Sequence, residues 1–229
     1  MFDNRPQFLL LCLILGGIIL SLYSASPDWY SQAAVLRDSV ILTWMVSLLN
    51  LAVGNGLGRL LGIRPRQLIG LLGIVFSPLL HRSLGHLLAN TIPFLVLGWL
   101  VLLQGRLQGQ SDFYAVTVTI LLIGGLGTWL FGRDAIHLGA SGLIFGYIGF
   151  LLINGYAEAT LLTIGFALIV FLMYGNQLWS MLPNSNETTI SWEGHLFGFA
   201  GGIVAGVRPD WLETISAALN NLIQQLSVL

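Results

Sequence analysis

The sequence predicts an all-α fold, a polytopic membrane helix bundle. Of its 229 residues, 55% are hydrophobic and 8% are charged, whereas soluble domains carry about 25% charged residues. The mean hydropathy is +0.83. The apolar residues form long runs separated by short breaks rich in Gly, Asn, Asp, Arg or Pro, the pattern of helices that cross a bilayer and turn at its surface.

Seven apolar segments approach the roughly 20 residues, with a lower limit near 17, that a spanning helix needs. The first two are the weakest, since Phe8–Tyr23 is short and Val40–Leu57 is interrupted by Asn50, Gly54 and Asn55. The five better-defined segments run over about His86–Leu103, Phe113–Phe131, Gly139–Ile153, Ala159–Trp179 and Trp192–Val207.

The first segment is expected to be a retained transmembrane anchor. No A-x-A-like cleavage site follows it, and Arg5 is the only basic residue before it. Both observations disfavour a secretory signal peptide. In a six-span alternative, Phe8–Tyr23 would be the first core helix. That alternative leaves a loop of about 57 residues between Tyr23 and His81, which is unusually long.

The C-terminal region, Pro209–Leu229, is predicted to be an amphipathic helix. Pro209 suits the first turn of a helix. The polar face lacks the basic residues of a helix drawn to anionic lipid, so we expect this helix to pack against its own bundle or to lie at the membrane interface. Its apolar residues recur at steps of three and four: Trp211, Ile215, Leu219, Leu222, Leu226 and Leu229.

Composition excludes several partners. All nine basic residues are arginine, and the net charge is −1, so no basic tract predicts a nucleic-acid partner. The single cysteine, Cys12, excludes an intramolecular disulfide framework. The four histidines lack an H-E-x-x-H pattern and have no cysteine beside them, so we expect no metal and no other cofactor.

Polar and ionisable side chains inside the apolar segments are candidates for function. A charge at the centre of a span costs about 2.5–3.5 kcal/mol on insertion scales, so such residues are rare and usually functional. All four histidines of the chain lie near the beginning of a segment. The candidates are His81, His86 and Asn90 at the third segment, His137 and Ser141 at the fifth, and His195 at the seventh.

These residue types fit nucleophilic catalysis. A serine hydroxyl becomes a useful nucleophile when a neighbouring histidine takes its proton, roles that Ser141 and His195 can fill. His86 and Asn90, four residues apart and therefore on one helix face, can donate hydrogen bonds to the oxyanion that forms. The unpaired amides at the beginning of the Ser141 helix can add to them.

Glycine stripes on two segments predict a close helix pair. Small residues at four-residue spacing let membrane helices approach closely, which a serine on one helix and a histidine on another require. The stripes are Gly142, Gly146 and Gly149 on the serine segment, and Gly194, Gly198, Gly202 and Gly206 on the histidine segment.

With these pieces in order, the chain resembles the rhomboid intramembrane serine proteases over roughly Gly62–Arg208. The matching motifs are His81-x-x-x-x-His86-x-x-x-Asn90, Gly139-Ala140-Ser141-Gly142, and Gly194-His195 with its following glycines up to Gly202. The resemblance implies a rhomboid-like six-helix core at residues 40–208. It makes residues 1–39 an extra N-terminal transmembrane helix with a connector, and residues 209–229 an added amphipathic helix.

The resemblance also implies an activity, the cleavage of transmembrane segments of other membrane proteins within the lipid bilayer. Ser141 would be the nucleophile and His195 the base of a dyad without an acidic third member, and His86 and Asn90 would form the oxyanion hole. Supporting roles would fall to Phe145, expected to stack on the catalytic histidine, to His81, expected to support the preceding loop, and to Gly139 and Gly198. Glu193, two residues before His195 and on another side of the helix, is expected to be interfacial.

The resemblance further implies a multi-pass protein whose site opens to the extracytoplasmic side. That orientation opposes the positive-inside tendency, because it places more arginines outside than inside. It puts Arg37, Arg106 and Arg208 inside, and Arg5, Arg64, Arg66, Arg82 and Arg133 outside.

Two other classes of function remain open. A catalytically inactive rhomboid-like protein that binds membrane clients would keep the fold but should lose Ser141 or His195, and this chain has both. A polytopic transporter could use the buried histidines as a proton path. It would be expected to show internal repeats between its halves, and no convincing repeat is visible.

Overall fold

The computed structural model describes residues 29–104, 110–183, 190–207 and 209–227. The predicted first segment, Phe8–Tyr23, lies outside the described residues, as do Arg5 and Cys12. The described part is helical and confirms the predicted all-α membrane bundle. Its α-helices are α1 (Trp29–Ala52), α2 (Gly56–Leu61), α3 (Gly73–Phe76), α4 (Leu84–Gln104), α5 (Gln110–Phe131), α6 (Ser141–Glu158), α7 (Leu161–Tyr174), α8 (Trp192–Val207) and α9 (Pro209–Ser227).

The helix α1 begins 11 residues before the predicted start of its segment at Val40. Its 24 residues make a helix of about 36 Å, longer than a hydrocarbon core of about 30 Å. Its third turn carries the exposed pair Arg37 and Asp38, whose charged groups lie 2.8 Å apart. The division of the chain at residues 39 and 208 remains a prediction, and residues 29–39 are continuous with the rest of α1.

Four of the described helices are long and apolar enough to cross a membrane: Tyr30–Ala52, Leu84–Gln104, Phe113–Phe131 and Leu161–Met181. The last consists of α7 and the 3₁₀ helix Gly175–Met181. The predicted spans that became α6 and α8 are not among them. Both lie in the middle of the bundle, where a helix is covered by other helices and needs less length and hydropathy than one that faces lipid.

The helices α6 and α8 pack backbone against backbone along their glycines. A Cβ atom on Gly198 would overlap the carbonyl oxygen of Gly142, and one on Gly202 would overlap that of Gly146. On the other side of α8, a Cβ atom on Gly124 of α5 would lie 3.1 Å from the Cα of Gly198. The predicted close packing of α6 and α8 is therefore confirmed. The helix α8 packs between α5 and α6.

The segment between α1 and α4 is folded onto the side of the bundle where α4, α6 and α8 begin. Ile63 forms an isolated antiparallel bridge with His137, just before α6. Gly70 has no room for a side chain because a Cβ atom there would overlap the backbone of Arg64. Arg66 donates from its guanidinium to the carbonyl of Gly132 at 2.8 Å. The Ile63 bridge and the Arg66 bond tie the segment to the loop that leads into α6.

The C-terminal helix α9 packs against α5 and α8. Its buried side carries Leu212, which is 3% exposed, and Ser216, which is 6% exposed, whereas Trp211 and Leu222 on the predicted apolar face are about half exposed. The expectation that α9 packs against its own bundle is confirmed for this part of the helix. Its buried side is rotated by one residue from the predicted apolar face.

We expect Gly202→Ala to lower the free energy of unfolding by about 1–3 kcal/mol, the usual cost of an overpacked contact. The added methyl group meets the Gly146 carbonyl oxygen, which α6 cannot move without losing its own hydrogen bonds. The matched control is Gly165→Ala on α7, where a Cβ atom meets nothing within 4 Å. Unfolding in mixed micelles should separate the two variants, and equal stabilities would contradict the close packing.

Candidate active site

The predicted site residues lie around one cavity at the end of the bundle where α4, α6 and α8 begin. We call this space of about 680 Å³ the polar cavity, and Ser141, His195, His86 and Asn90 all line it. The helices α4, α6 and α8 run in the same direction, so the polar residues near their N-termini meet at one side of the bundle. The structure thus brings together four residues that lie up to 109 positions apart in sequence.

Hydrogen bonds fix the tautomer of His195. Its Nδ1 lies 3.0 Å from the hydroxyl of Ser180 and 3.3 Å from the Ser180 carbonyl oxygen. The Ser180 hydroxyl donates its own proton to the carbonyl of Gln177 at 2.7 Å, so it accepts from His195. Nδ1 therefore carries the proton, and Nε2 has a free lone pair, as a general base requires.

The imidazole of His195 is also held by stacking. The ring of Phe145, one turn after Ser141, lies parallel to it with centroids 4.1 Å apart and an interplanar angle of 7°. Both side chains are more than 90% buried. The predicted stacking of Phe145 on His195 is confirmed, and the stacked ring restricts rotation of the imidazole on one side.

Ser180 was not found by sequence reasoning. It lies in the 3₁₀ helix Gly175–Met181, 15 residues before His195. A serine near the end of an apolar segment has no distinguishing pattern, and only the fold of the intervening chain brings it to His195.

The backbone crossing of α6 and α8 sets the position of Ser141. A Cβ atom on Gly142 would lie 3.1 Å from the carbonyl oxygen of Gly194. Gly142 directly follows Ser141 and Gly194 directly precedes His195, so the two helices meet one residue away from the serine and the histidine. A larger residue at Gly142 would push them apart.

His86 and Asn90 form another part of the cavity wall. The side-chain amide of Asn90 donates to the His86 carbonyl at 2.8 Å, which uses one of its two N–H groups and leaves one for the cavity. The imidazole of His86 lies against Gly139, where a Cβ atom would be 2.7 Å from the ring. Gly139 also has a φ of +114°, so glycine is required there both by the backbone and by the neighbouring ring.

The beginning of α6 supplies backbone donors. No side chain caps this helix, and its first amides have no partner within the helix. The preceding amide, that of Ala140, donates to Nε2 of His81 at 3.4 Å. The N–H groups of Ser141, Gly142 and Leu143 are therefore the helix-end donors nearest to the serine hydroxyl.

His81 connects the segment before α4 to the loop before α6 and to α1. Burial, with a smaller effect from His86, lowers the pKa of His81 to about 3, so the ring is neutral at pH 7. Because its Nε2 accepts from Ala140, its Nδ1–H donates to the Ser47 hydroxyl at 2.9 Å. Ser47 in turn donates to the carbonyl of Leu79 at 2.8 Å. This chain of bonds joins α1, the following segment and the loop before α6.

Glu193 is buried and paired, which corrects the expectation that it is interfacial. It is fully buried, and one carboxylate oxygen accepts from the backbone N–H of Arg133 at 3.0 Å. The other lies 3.5 Å from the Arg133 guanidinium. The sequence offered no sign of this pair, because its partners lie 60 residues apart. The pair fixes the first turn of α8 to the loop before α6.

His137 forms a second bridge between the same two segments. Its Nε2–H donates to the carbonyl of Arg133 at 3.1 Å, so its Nδ1 accepts from the hydroxyl of Ser191 at 2.6 Å. The pKa of His137 is lowered mainly by burial, which keeps the ring neutral. His137 lines the polar cavity, but both of its nitrogens are occupied.

The helices, the glycine crossing and the polar cavity together define a polytopic membrane protein with a serine and an oriented histidine in one membrane-embedded site. Residues 68–208, more than half of the chain, match the Rhomboid domain family. The chain belongs to the rhomboid family and is an integral membrane protein.

The chain is also similar to individual proteins. The chain is 40% identical over 186 residues to an uncharacterized protein of Mycobacterium tuberculosis, with 78% of this chain and 75% of that protein covered. It is 36% identical over 184 residues to an uncharacterized protein of Mycobacterium leprae, with 77% and 71% covered. It is 28% identical over 142 residues to RHOMBOID-like protein 1 of Arabidopsis thaliana, with 58% and 34% covered.

We expect Glu193→Ala to lower the free energy of unfolding by about 2–3 kcal/mol. Removing one partner of a fully buried ion pair costs about 3–5 kcal/mol, and the cost is smaller here because the Arg133 side chain is 34% exposed and can reach water. The matched control, Glu213→Ala, removes an exposed carboxylate on α9 and should change stability by less than about 0.5 kcal/mol. Equal effects in a micelle unfolding titration would contradict a structural role for Glu193.

Proposed function

We propose that the protein is an intramembrane serine endopeptidase that uses Ser141 and His195 as a catalytic dyad. The observation that carries this proposal is the orientation of His195. Its Nδ1–H is held by Ser180, so the unprotonated Nε2 is available as a base in the cavity that Ser141 lines. A histidine with a merely structural role would be expected to use both nitrogens, as His137 does.

In the proposed reaction, Nε2 of His195 takes the proton from the Ser141 hydroxyl as its oxygen attacks the scissile carbonyl carbon. The carbonyl oxygen becomes an oxyanion, which accepts hydrogen bonds from the Asn90 amide, the His86 ring and the backbone amides at the beginning of α6. The intermediate collapses as His195 gives its proton to the leaving nitrogen. A water molecule, deprotonated by the same Nε2, then hydrolyses the acyl-enzyme and restores the serine.

The dyad works without a carboxylate. In the usual triad an aspartate orients the histidine through Nδ1, and here the two oxygens of Ser180 occupy that position. The nearest acid in sequence, Glu193, is bonded to Arg133 instead. A neutral acceptor stabilises the imidazolium less than a carboxylate does, so we expect the dyad to be slower than a triad.

We propose that the substrates are transmembrane segments of other proteins. The polar cavity lies between helices of a membrane bundle, so a peptide bond that reaches it comes from the bilayer or its surface. A helical peptide bond is already hydrogen-bonded and shielded by its side chains, so the substrate must unwind locally. Helix-breaking and small residues near the scissile bond lower the cost of that unwinding.

We also propose that the polar cavity opens to the extracytoplasmic side. Three of the arginines that count against this orientation have structural roles at that end of the bundle. Arg66 bonds the Gly132 carbonyl, Arg82 bonds the Ile136 carbonyl, and Arg133 pairs with Glu193. Each of these three guanidiniums is bonded in the loops at that end of the bundle, which gives the arginines a structural reason to lie there.

The dyad is tested in proteoliposomes that contain a model transmembrane substrate. We expect Ser141→Ala and His195→Ala each to lower cleavage by at least about a thousandfold, and to abolish labelling of the protein by a fluorophosphonate, which reacts with an activated serine. Thermal unfolding should remain cooperative in both variants. Ser216→Ala, a buried serine on α9, is the matched control and should keep both activities. Cleavage that survives either dyad substitution would disprove the mechanism.

The oxyanion role of Asn90 predicts a distinct kinetic signature. We expect Asn90→Ala to lower kcat by about 100- to 1000-fold with little change in KM, because the lost bond forms in the transition state and not in the ground state. Ile92→Ala, two residues later on the lipid-facing side of α4, is 66% exposed and should leave both constants unchanged. A rise in KM at constant kcat would instead assign Asn90 to substrate binding.

A further inference from the structure

A second cavity, of about 190 Å³, lies behind the polar cavity. Its walls come from α1, the segment before α4, and the helices α4, α5 and α6. We call it the apolar cavity, and its lining includes Val40, Leu87, Phe94, Leu143 and Tyr147. Asn90 lines both cavities, so the helix α4 lies between them.

Most of the polar side chains that border the apolar cavity are bonded to one another or to backbone. The Trp44 indole donates to the Thr91 hydroxyl at 3.1 Å, and Thr91 donates to the Leu87 carbonyl at 2.8 Å. Thr117 donates to the Phe113 carbonyl at 2.6 Å, so the Tyr147 hydroxyl donates to Thr117 at 2.7 Å. Since these donors are already used, the lining favours a hydrocarbon occupant over a polar one.

The apolar cavity is continuous with a groove on the outside of the bundle. Ser39, Leu42 and Tyr114 line both the cavity and this groove, which continues between α1 and α5 to Ser31. Asp38 also lines the groove and forms an exposed ion pair with Arg37, so the groove lies at the level of the lipid headgroups. Tyr114 is the second residue of the apolar span Phe113–Phe131, so the cavity mouth lies where the hydrocarbon of that leaflet begins.

We propose that the apolar cavity binds the acyl chain of a bilayer lipid whose headgroup lies at the groove. The lipid belongs to the leaflet opposite the polar cavity, because α1 begins at that side of the bundle and ends at the polar cavity's side. The chain would enter at Ser39, Leu42 and Tyr114 and place its end beside Leu87 and Tyr147. A transmembrane helix, about 10 Å across, is too wide for a cavity of about 190 Å³.

Photocrosslinking in proteoliposomes tests this site. The probe is a phosphatidylcholine with a diazirine near the end of one acyl chain, and adducts are located by mass spectrometry after irradiation. We expect adducts on Leu87 and Tyr147, which are both fully buried and out of reach of lipid outside the bundle. Adducts on the exposed Leu88 and Ile92 report that surrounding lipid, and cooperative thermal unfolding verifies that the bundle is folded.

Two tryptophan substitutions on adjacent residues of α1 make the matched pair. Val40→Trp fills the cavity mouth and should lower the Leu87 and Tyr147 adducts at least tenfold, while the surface adducts persist. Ile41→Trp lies on the exposed side of α1 and should change neither set. If Val40→Trp does not fold, the smaller substitution Val40→Phe, compared with Ile41→Phe, makes the same test.

Three results would overturn the proposal. The first is a set of adducts confined to the surface residues. The second is buried adducts that survive Val40→Trp in a folded protein. The third is labelling of Leu87 and Tyr147 by a transmembrane peptide that carries a diazirine side chain but not by the lipid, which would assign the cavity to a substrate side chain. None of these measurements depends on protease activity.

Discussion

The backbone contact between α6 and α8 is the constraint on which the rest of the structure depends. Glycine carbonyl oxygens on one helix occupy the space where side chains would stand on the other, at Gly142–Gly198 and Gly146–Gly202. In a membrane the hydrophobic effect does not drive helices together, so close packing of small residues has to hold them. The same contact brings the residue after Ser141 against the residue before His195, and so packing and site geometry have one origin.

The buried polar residues around the site divide between chemistry and architecture. His81, His137 and Glu193 each bond to a segment distant in sequence, and together they hold the loop before α6 against α1 and α8. Bonds of this kind are costly to leave unmade in a low-dielectric interior, so they fix one arrangement of the loop. His195 differs from these residues because one of its nitrogens is free of such a bond.

Much of the site could be predicted because polar residues stand out in an apolar sequence. Ser141, His195, His86 and Asn90 were recognisable by residue type, by their positions at segment starts and by the glycines that accompany them. Ser180 and the Arg133–Glu193 pair were not, because their partners are chosen by tertiary folding and no local pattern reports them. Helix bounds were predicted well for α8, whereas α1 continues beyond the apolar run, where hydropathy no longer marks the helix.

Asn90 lies between two cavities that differ in polarity. On one side a polar space can admit water, and on the other most hydrogen-bonding groups are already paired and the walls are mainly hydrocarbon. The second N–H of the Asn90 amide can donate to water in the polar cavity. If the amide turned toward the apolar cavity, this N–H would be left without an acceptor, at a cost of about 1–3 kcal/mol. The apolar cavity thus disfavours the alternative rotamer and keeps the donor directed at the polar cavity. An acyl chain in that space would strengthen this preference, because it excludes the water that could otherwise solvate the turned amide.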